Sequence, residues 1–325
     1  MNFEISEEHQ MLRAAVREAT ARVEPTTAAL WPVFCELGLT SICVSEAAGG
    51  VEMDALALAV VAEEVAYVSP GMAATLVLHN GTVCGLLERH KDDPKVAGLF
   101  ADLVVGDRIG VGAVGPKPAR QALWVHGFKN VAIGSDAGSV ATVYEVTASD
   151  RIETAGFEGL GWATLNPENA VVTLSSTDEV MTPLTAMGLG AVAVGIGRAA
   201  FDAAASYSVE RKQFGKPISQ FQAIQWMLAD SNAELDAARL LVRSAATSIA
   251  DSVEGSLPQQ CAYRAAETAL EIADRAIQIH GGYGYTREYP VERMWRDARQ
   301  LLVGCLQSGG HLRRAVAERT IGQVR

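Results

Sequence analysis

The feature that most constrains the fold is the break within residues 278–297, where one apolar-periodic helix stops at paired glycines and another begins. Leu270, Ala273, Ile277 and His280 recur at helical spacing. Gly281 and Gly282 then end the pattern, Gly284 turns the chain, and Pro290 stands where a first helical position is expected. Paired glycines between two helices let main-chain N–H groups approach an anion with no Cβ in the way. A glycine-capped corner between helices explains the glycines equally well. The neighbours add weight to a binding role: Gln278 before the glycines, and Glu288, Tyr289, Pro290, Arg296 and Asp297 after them.

Upstream, residues 1–103 read as helical. Ser6, followed by Glu8 and Gln10, opens a helix with Met11, Leu12, Ala15 and Val16 on one side. Trp31-Pro32 starts a second helix that ends at Gly38, residues 56–65 form a third carrying Glu63-Glu64, and residues 72–89 form a fourth. Valine, threonine and glycine dominate residues 104–176, with alternating runs at 121–126, 140–146 and 170–174. These predict a small, shortened antiparallel β domain. Helical patterning returns over 177–325. Gly188, Gly190, Gly195 and Gly197 lack the spacing of a dinucleotide fingerprint and follow no strand, so they read as small residues at close helix contacts. The expected fold class is α+β, mostly α: an N-terminal helical domain, a reduced middle β domain and a C-terminal four-helix bundle.

A formal net charge of −11 and a pI near 5.1 exclude a basic nucleic-acid-binding face, although a nucleotide cofactor needs only a few local donors. The acidic opening Met1-Asn2-Phe3-Glu4 predicts no leader, and the apolar run 187–197 is too short to span a bilayer. Cys35, Cys43, Cys84, Cys261 and Cys305 show no metal or CxxC spacing and read as small buried hydrophobes. The expected location is the cytoplasm, with no membrane partner.

A second constellation runs from Arg211 through Phe214-Gly215 to Phe221 and Gln222, between two predicted helices. A guanidinium fork suits a diphosphate, and an aromatic ring suits the face of an adenine. Together with the stretch 278–297, in this order and spacing, it resembles the acyl-CoA dehydrogenase family. The resemblance extends to residues 3–17 and 37–50, and to Glu63-Glu64-Val65. It covers both helical regions well and the middle poorly.

The resemblance implies FAD lying across a subunit interface, with the C-terminal domain of one subunit holding the ADP half of a cofactor whose flavin sits in its neighbour. On that basis Arg211 would bind the pyrophosphate and Phe214 would flank the adenine side. Gln222, Gln278, Gly281 and Gly282 would complete the ADP site. The family's chemistry also needs a carboxylate base, carried shortly after the Arg-Asp pair. Here Val303 or Cys305 occupies that place, and no carboxylate lies between Asp297 and Glu318. A second family position falls near Thr185, with Asp178 and Glu179 as the nearest acids. The family's flavin-edge loop corresponds to residues 111–120, which keep a proline and little else.

These losses imply a catalytically silent subunit of a heteromeric (α2β2) acyl-CoA dehydrogenase, resembling those of actinobacterial sterol side-chain degradation. A longer partner subunit would supply the Glu base, the flavin pocket and most of the acyl-CoA site, with an electron-transfer flavoprotein as acceptor. Two alternatives stay open: a self-sufficient homotetrameric dehydrogenase or oxidase with a displaced base, and a non-enzymatic scaffold of the same fold.

Overall fold

Ser6 caps the first helix as the sequence predicts, its hydroxyl accepting the His9 N–H at 3.3 Å. The computed structural model describes residues 5–114, 121–135, 140–146, 152–165, 167–175, 181–252, 255–306 and 310–322. The N-terminal region holds α1 (Glu7–Ala21), α2 (Thr27–Glu36), α3 (Ala55–Val68) and α4 (Pro70–Val77). The last continues through wide π turns at Leu78–Cys84 into α5 (Gly85–Leu87), and α6 (Pro94–Val105) closes the region. Pro32 does not start α2. Thr26 caps it earlier, accepting the Ala29 N–H, and Pro32 lies inside.

Among the described residues seven strands follow: β1 (Ile109–Val114), β2 (Gln121–Val125), β3 (Asn130–Ser135), β4 (Val140–Val146), β5 (Ile152–Glu153), β6 (Leu160–Thr164) and β7 (Ala170–Ser175). Their order is β5-β6-β2-β1-β3-β4-β7. The expected antiparallel pairing holds everywhere except between β1 and β3, which run parallel with Ile109 opposite Asn130. The strand runs were legible, but this pairing was not, because β2 is placed on the far side of β1.

The C-terminal region contains α7 (Pro183–Glu210), a hairpin of β8 (Lys212–Gln213) and β9 (Lys216–Pro217), α8 (Gln222–Ala250), α9 (Leu257–His280), α10 (Val291–Gln300) and α11 (Gly310–Gly322). Helix α7 is the centre, lying against α3, α8, α9 and α10. Its length and composition would suffice to cross a membrane, beyond what the run 187–197 suggested, yet 83% of its most apolar window is buried within the protein. Its glycines act as the spacing implied. A Cβ on Gly195 would lie 2.4 Å from the Glu63 carbonyl oxygen, and one on Gly190 would lie 2.4 Å from Cys261 Sγ.

Glu63 and Glu64 tie the N-terminal helices to this bundle. Arg198 of α7 donates to both Glu64 oxygens at 2.8 Å and to Glu63 at 3.1 Å. Arg17 of α1 donates to Glu64 at 3.1 Å, and Arg239 of α8 donates to Glu63 at 3.2 Å. Burial alone would raise the Glu64 carboxyl, but the Arg198 and Arg17 bonds outweigh it and hold it below the usual range. Removing one member of such a network strands a buried charge, at a cost of about 3–5 kcal/mol.

Candidate functional site

The helix end at Arg211 and the glycine corner meet through a stack of aromatic rings. Tyr207, one turn before Arg211 on α7, lies over His280 with centroids 4.1 Å apart and planes at 20°. Tyr289 meets both rings edge-on, at 5.2 and 5.1 Å. His280 donates from Nδ1 to the Ala276 carbonyl at 2.8 Å, and burial holds its pKa below the ordinary value, so the ring is neutral and serves packing. Tyr283 joins Tyr289 at 6.1 Å, and the Arg211 guanidinium lies 5.6 Å over the Tyr283 ring. The two motifs, far apart in sequence, therefore share one surface.

Arg211 ends α7, its N–H bonded to Tyr207 O at 2.9 Å, and its side chain is exposed with no ion pair among the described residues. Phe214 sits at the tip of the β8–β9 hairpin with φ +51° and is 93% exposed. A left-handed phenylalanine standing in water costs of order 1 kcal/mol and gains no burial within this chain. Phe221 meets it edge-on at 6.2 Å and carries the Lys216 ammonium 4.5 Å over its face. Gln222 opens α8, where no side chain caps the helix, and is exposed.

At the corner, Gly281 has φ 62° and ψ −139°, a conformation for glycine alone. A Cβ on Gly281 or Gly282 would meet nothing within 4 Å, whereas one on Gly284 would lie 2.5 Å from the Ile277 carbonyl oxygen. Gly284 therefore serves packing, and Gly281-Gly282 leave open backbone. Gln278 is exposed on the last turn of α9. Arg275 of α9 binds Glu234 and Ser231 of α8, so the two helices run antiparallel and the Gln222 and Gln278 ends lie at one end of the bundle. Exposed Tyr285 and Trp226 extend this face; neither was singled out in the sequence, and a lone aromatic in a polar helix was the available signal. The donor set and open glycine backbone fit the phosphates and ring of an ADP moiety.

The positions where the resemblance leads one to expect a base are different in kind. Residues Leu301–Cys305 form a second set of π turns, with Cys305 buried and Val303 47% exposed. Burial pushes the Cys305 thiol up to about 12, so it carries no charge near neutrality. A Cβ on Gly304 would lie 2.3 Å from Gln300 Nε2 and 2.9 Å from Trp162, so these side chains fill the space beside it. Thr185 is fully buried, and its hydroxyl bonds those of Thr82 and Thr182, each at 2.9 Å. Gly81 closes directly on it, since a Cβ there would lie 2.6 Å from Thr185 Oγ1. Asp178 and Glu179 lie outside the described residues, as do 115–120 of the flavin-edge loop. Among the described residues no cluster of His, Cys, Asp and Glu could hold a metal.

Comparison with known proteins matches two family descriptions. Residues 181–304 match "Acyl-CoA dehydrogenase, C-terminal domain", and residues 6–93 match "Acyl-CoA dehydrogenase, N-terminal domain". A 3-sulfinopropanoyl-CoA desulfinase of Paraburkholderia xenovorans is 37% identical over 235 residues, 71% of this chain and 54% of that protein. The match thus spans about half of that relative's length. A short-chain-specific acyl-CoA dehydrogenase of Clostridium acetobutylicum is 28% identical over 92% of this chain and 94% of that protein. Among solved structures, the ChsE4-ChsE5 complex from Mycobacterium tuberculosis includes a chain similar in fold, with a TM-score of 0.80, 21% identity and 99% of each chain covered.

Proposed function

The chain belongs to the acyl-CoA dehydrogenase family, and from that premise we propose that it is the non-catalytic subunit of a heteromeric, FAD-dependent enzyme. The family's dehydrogenases are oxidoreductases acting on acyl-CoA, and homologues in the family bind FAD. In this reading the present chain lends the ADP-binding half of a cofactor site, and an unlike partner of the same fold supplies the rest.

One observation carries the proposal. The ADP-side residues Arg211, Phe214, Gln278, Gly281 and Gly282 are solvent-open on one face. The positions where the resemblance places a base hold Val303, Cys305 and Thr185, none of which would take up an α-proton at neutral pH. Phe214 supports it further, because a strained and exposed ring gains burial only against something outside this chain, the cofactor or the partner.

The chemistry that FAD supplies when bound is acceptance of the hydride leaving the acyl β-carbon. This chain's residues would bind and orient. Arg211 would neutralise the diphosphate, the N–H groups at Gly281 and Gly282 would donate to it, and Phe214 with Gln222 and Gln278 would fix the adenosine end. The α-proton would go to a carboxylate of the partner. An electron-transfer flavoprotein would then receive the electrons, and a sterol-derived acyl-CoA is the substrate class proposed from the resemblance to sterol-degrading complexes. The likeness to a chain of ChsE4-ChsE5, a complex of two named components, supports the pairing of unlike chains.

The test is the absorption spectrum and turnover of the chain purified alone. The expected result is a colourless protein that dehydrogenates no acyl-CoA. A yellow, active homotetramer would sink the proposal.

A further inference from the structure

The turn at residues 154–160, between β5 and β6, is where sheet, N-terminal helices and bundle meet. Thr154 Oγ1 donates to the carbonyl oxygens of Phe157 at 3.2 Å and Leu160 at 3.0 Å, which closes the turn. Phe157 has φ +57° and is 1% exposed, its side chain driven against Gly71 of α4. A Cβ on Gly71 would lie 2.9 Å from Phe157 Cβ, so no larger residue fits there. On the bundle side, Gly156 lies so close to α10 that a Cβ would come within 2.4 Å of the Arg296 carbonyl oxygen. Arg296 Nη1 donates to Ala155 O at 2.6 Å.

The remaining bond is the unusual one. The Phe157 N–H donates to Asp297 Oδ1 at 2.6 Å, and Asp297 is 3% exposed. The turn also separates two cavities, about 610 and 260 Å³, and Glu158, Gly159 and Arg293 line both. The charged groups facing Asp297 are Arg293 and Arg296 of α10 and Glu158 of the turn. Arg296 is engaged by Glu292 at 2.9 Å, and Arg293 lies 3.7 Å from Glu158. The α2 and α4 segments lining the smaller cavity bring no charge: Thr26, Thr27, Ser69, Pro70 and Gly71.

We propose that this turn is a proton-operated latch between sheet and bundle, tight when Asp297 is protonated and looser when it is ionised. Charge on so buried a carboxylate is costly even with Arg293 and Arg296 facing it, because Glu158 and Glu292 already engage those arginines, and opening the turn would let water reach it. Burial pushes the Asp297 pKa up to about 6, more than the Phe157 N–H, Arg293 and Arg296 pull it down. In the open state the group returns towards the ordinary aspartate value of 3.8. The closed form therefore holds its proton more firmly, and rising pH favours opening until both forms are ionised. With these two values, opening increases roughly tenfold between about pH 5 and pH 7.5.

The test is hydrogen exchange at the Phe157 amide in the full chain at those two pH values, corrected for intrinsic exchange. We expect protection of that amide to fall roughly tenfold at the higher pH while α9 amides keep theirs. Asp297→Asn keeps an oxygen acceptor without the titration, and its Phe157 protection should not depend on pH. Glu158→Gln leaves the latch bonds in place but removes a carboxylate that raises the Asp297 pKa and frees Arg293 to face it, so its Phe157 dependence should be weaker than the wild type's. Equal Phe157 protection at both pH values in the wild type would overturn the proposal without any variant. So would a dependence shared by the α9 amides, or one that survives in Asp297→Asn.

Discussion

Arg211→Ala separates the two roles that a surface arginine beside a helix end can play. In this chain Arg211 is exposed, forms no ion pair among the described residues, and holds its guanidinium 5.6 Å over the Tyr283 ring. The main-chain bond to Tyr207 that ends α7 survives the substitution. The lone chain should therefore keep its stability to within about 0.5 kcal/mol. In the assembled enzyme the same change removes a charge-assisted contact to the cofactor diphosphate, worth about 2 kcal/mol. At about 1.4 kcal/mol per factor of ten, FAD should bind roughly 30-fold more weakly. Urea denaturation of the lone chain and FAD titration of the apo-complex measure the two arms. Unchanged FAD affinity would remove Arg211 from the cofactor site. A loss of more than about 1 kcal/mol in the lone chain would make it a structural residue.

Three further outcomes are expected. Phe214→Gly should leave the lone chain's stability within about 1 kcal/mol, since relief of the positive φ offsets the added flexibility. It should weaken assembly with the partner by about 1.5–3 kcal/mol, read by sedimentation. Glu64→Gln should cost about 3–5 kcal/mol in urea denaturation. The folded pKa of Glu64 lies below its ordinary value, so its stabilisation is present above that value and lost as pH falls through the lowered one. The wild-type chain should therefore lose stability in acid that the glutamine variant no longer has to lose. Val303→Glu should be tolerated within about 0.5 kcal/mol, while Cys305→Glu should cost at least about 3 kcal/mol. The reverse order in thermal melts would mean that Cys305, not Val303, occupies the place open to a carboxylate.

Much of the architecture was legible because its determinants are local. Ser6 caps α1, the alternating runs at 121–126 and 140–146 hold strands, and glycines of α7 sit where neighbouring elements come within contact distance. Pro32 misled because a proline marks a helix start only when no better cap precedes it, and Thr26 does. The site was legible as two motifs but not as one surface. Their union runs through ring contacts of Tyr207 with His280 and Tyr289, and of Tyr283 with Tyr289, which no local pattern encodes. Asp297 illustrates the limit most clearly. The sequence marks it as part of an Arg-Asp pair in the cofactor stretch, but its partner is the main chain of Phe157, 140 positions away. Likewise, one of the two hydroxyls that meet Thr185 belongs to Thr82, 103 positions earlier. Pairings of that separation are set by packing of whole elements, and no local pattern encodes them.

The central claim is that this chain lends half of a cofactor site to an unlike partner. The most direct measurement is a flavin-to-chain count on the complex co-expressed with that partner, set beside the same count on the lone chain. The account predicts one FAD for each pair of unlike chains and none retained by the lone chain. One FAD per copy of the lone chain would contradict it.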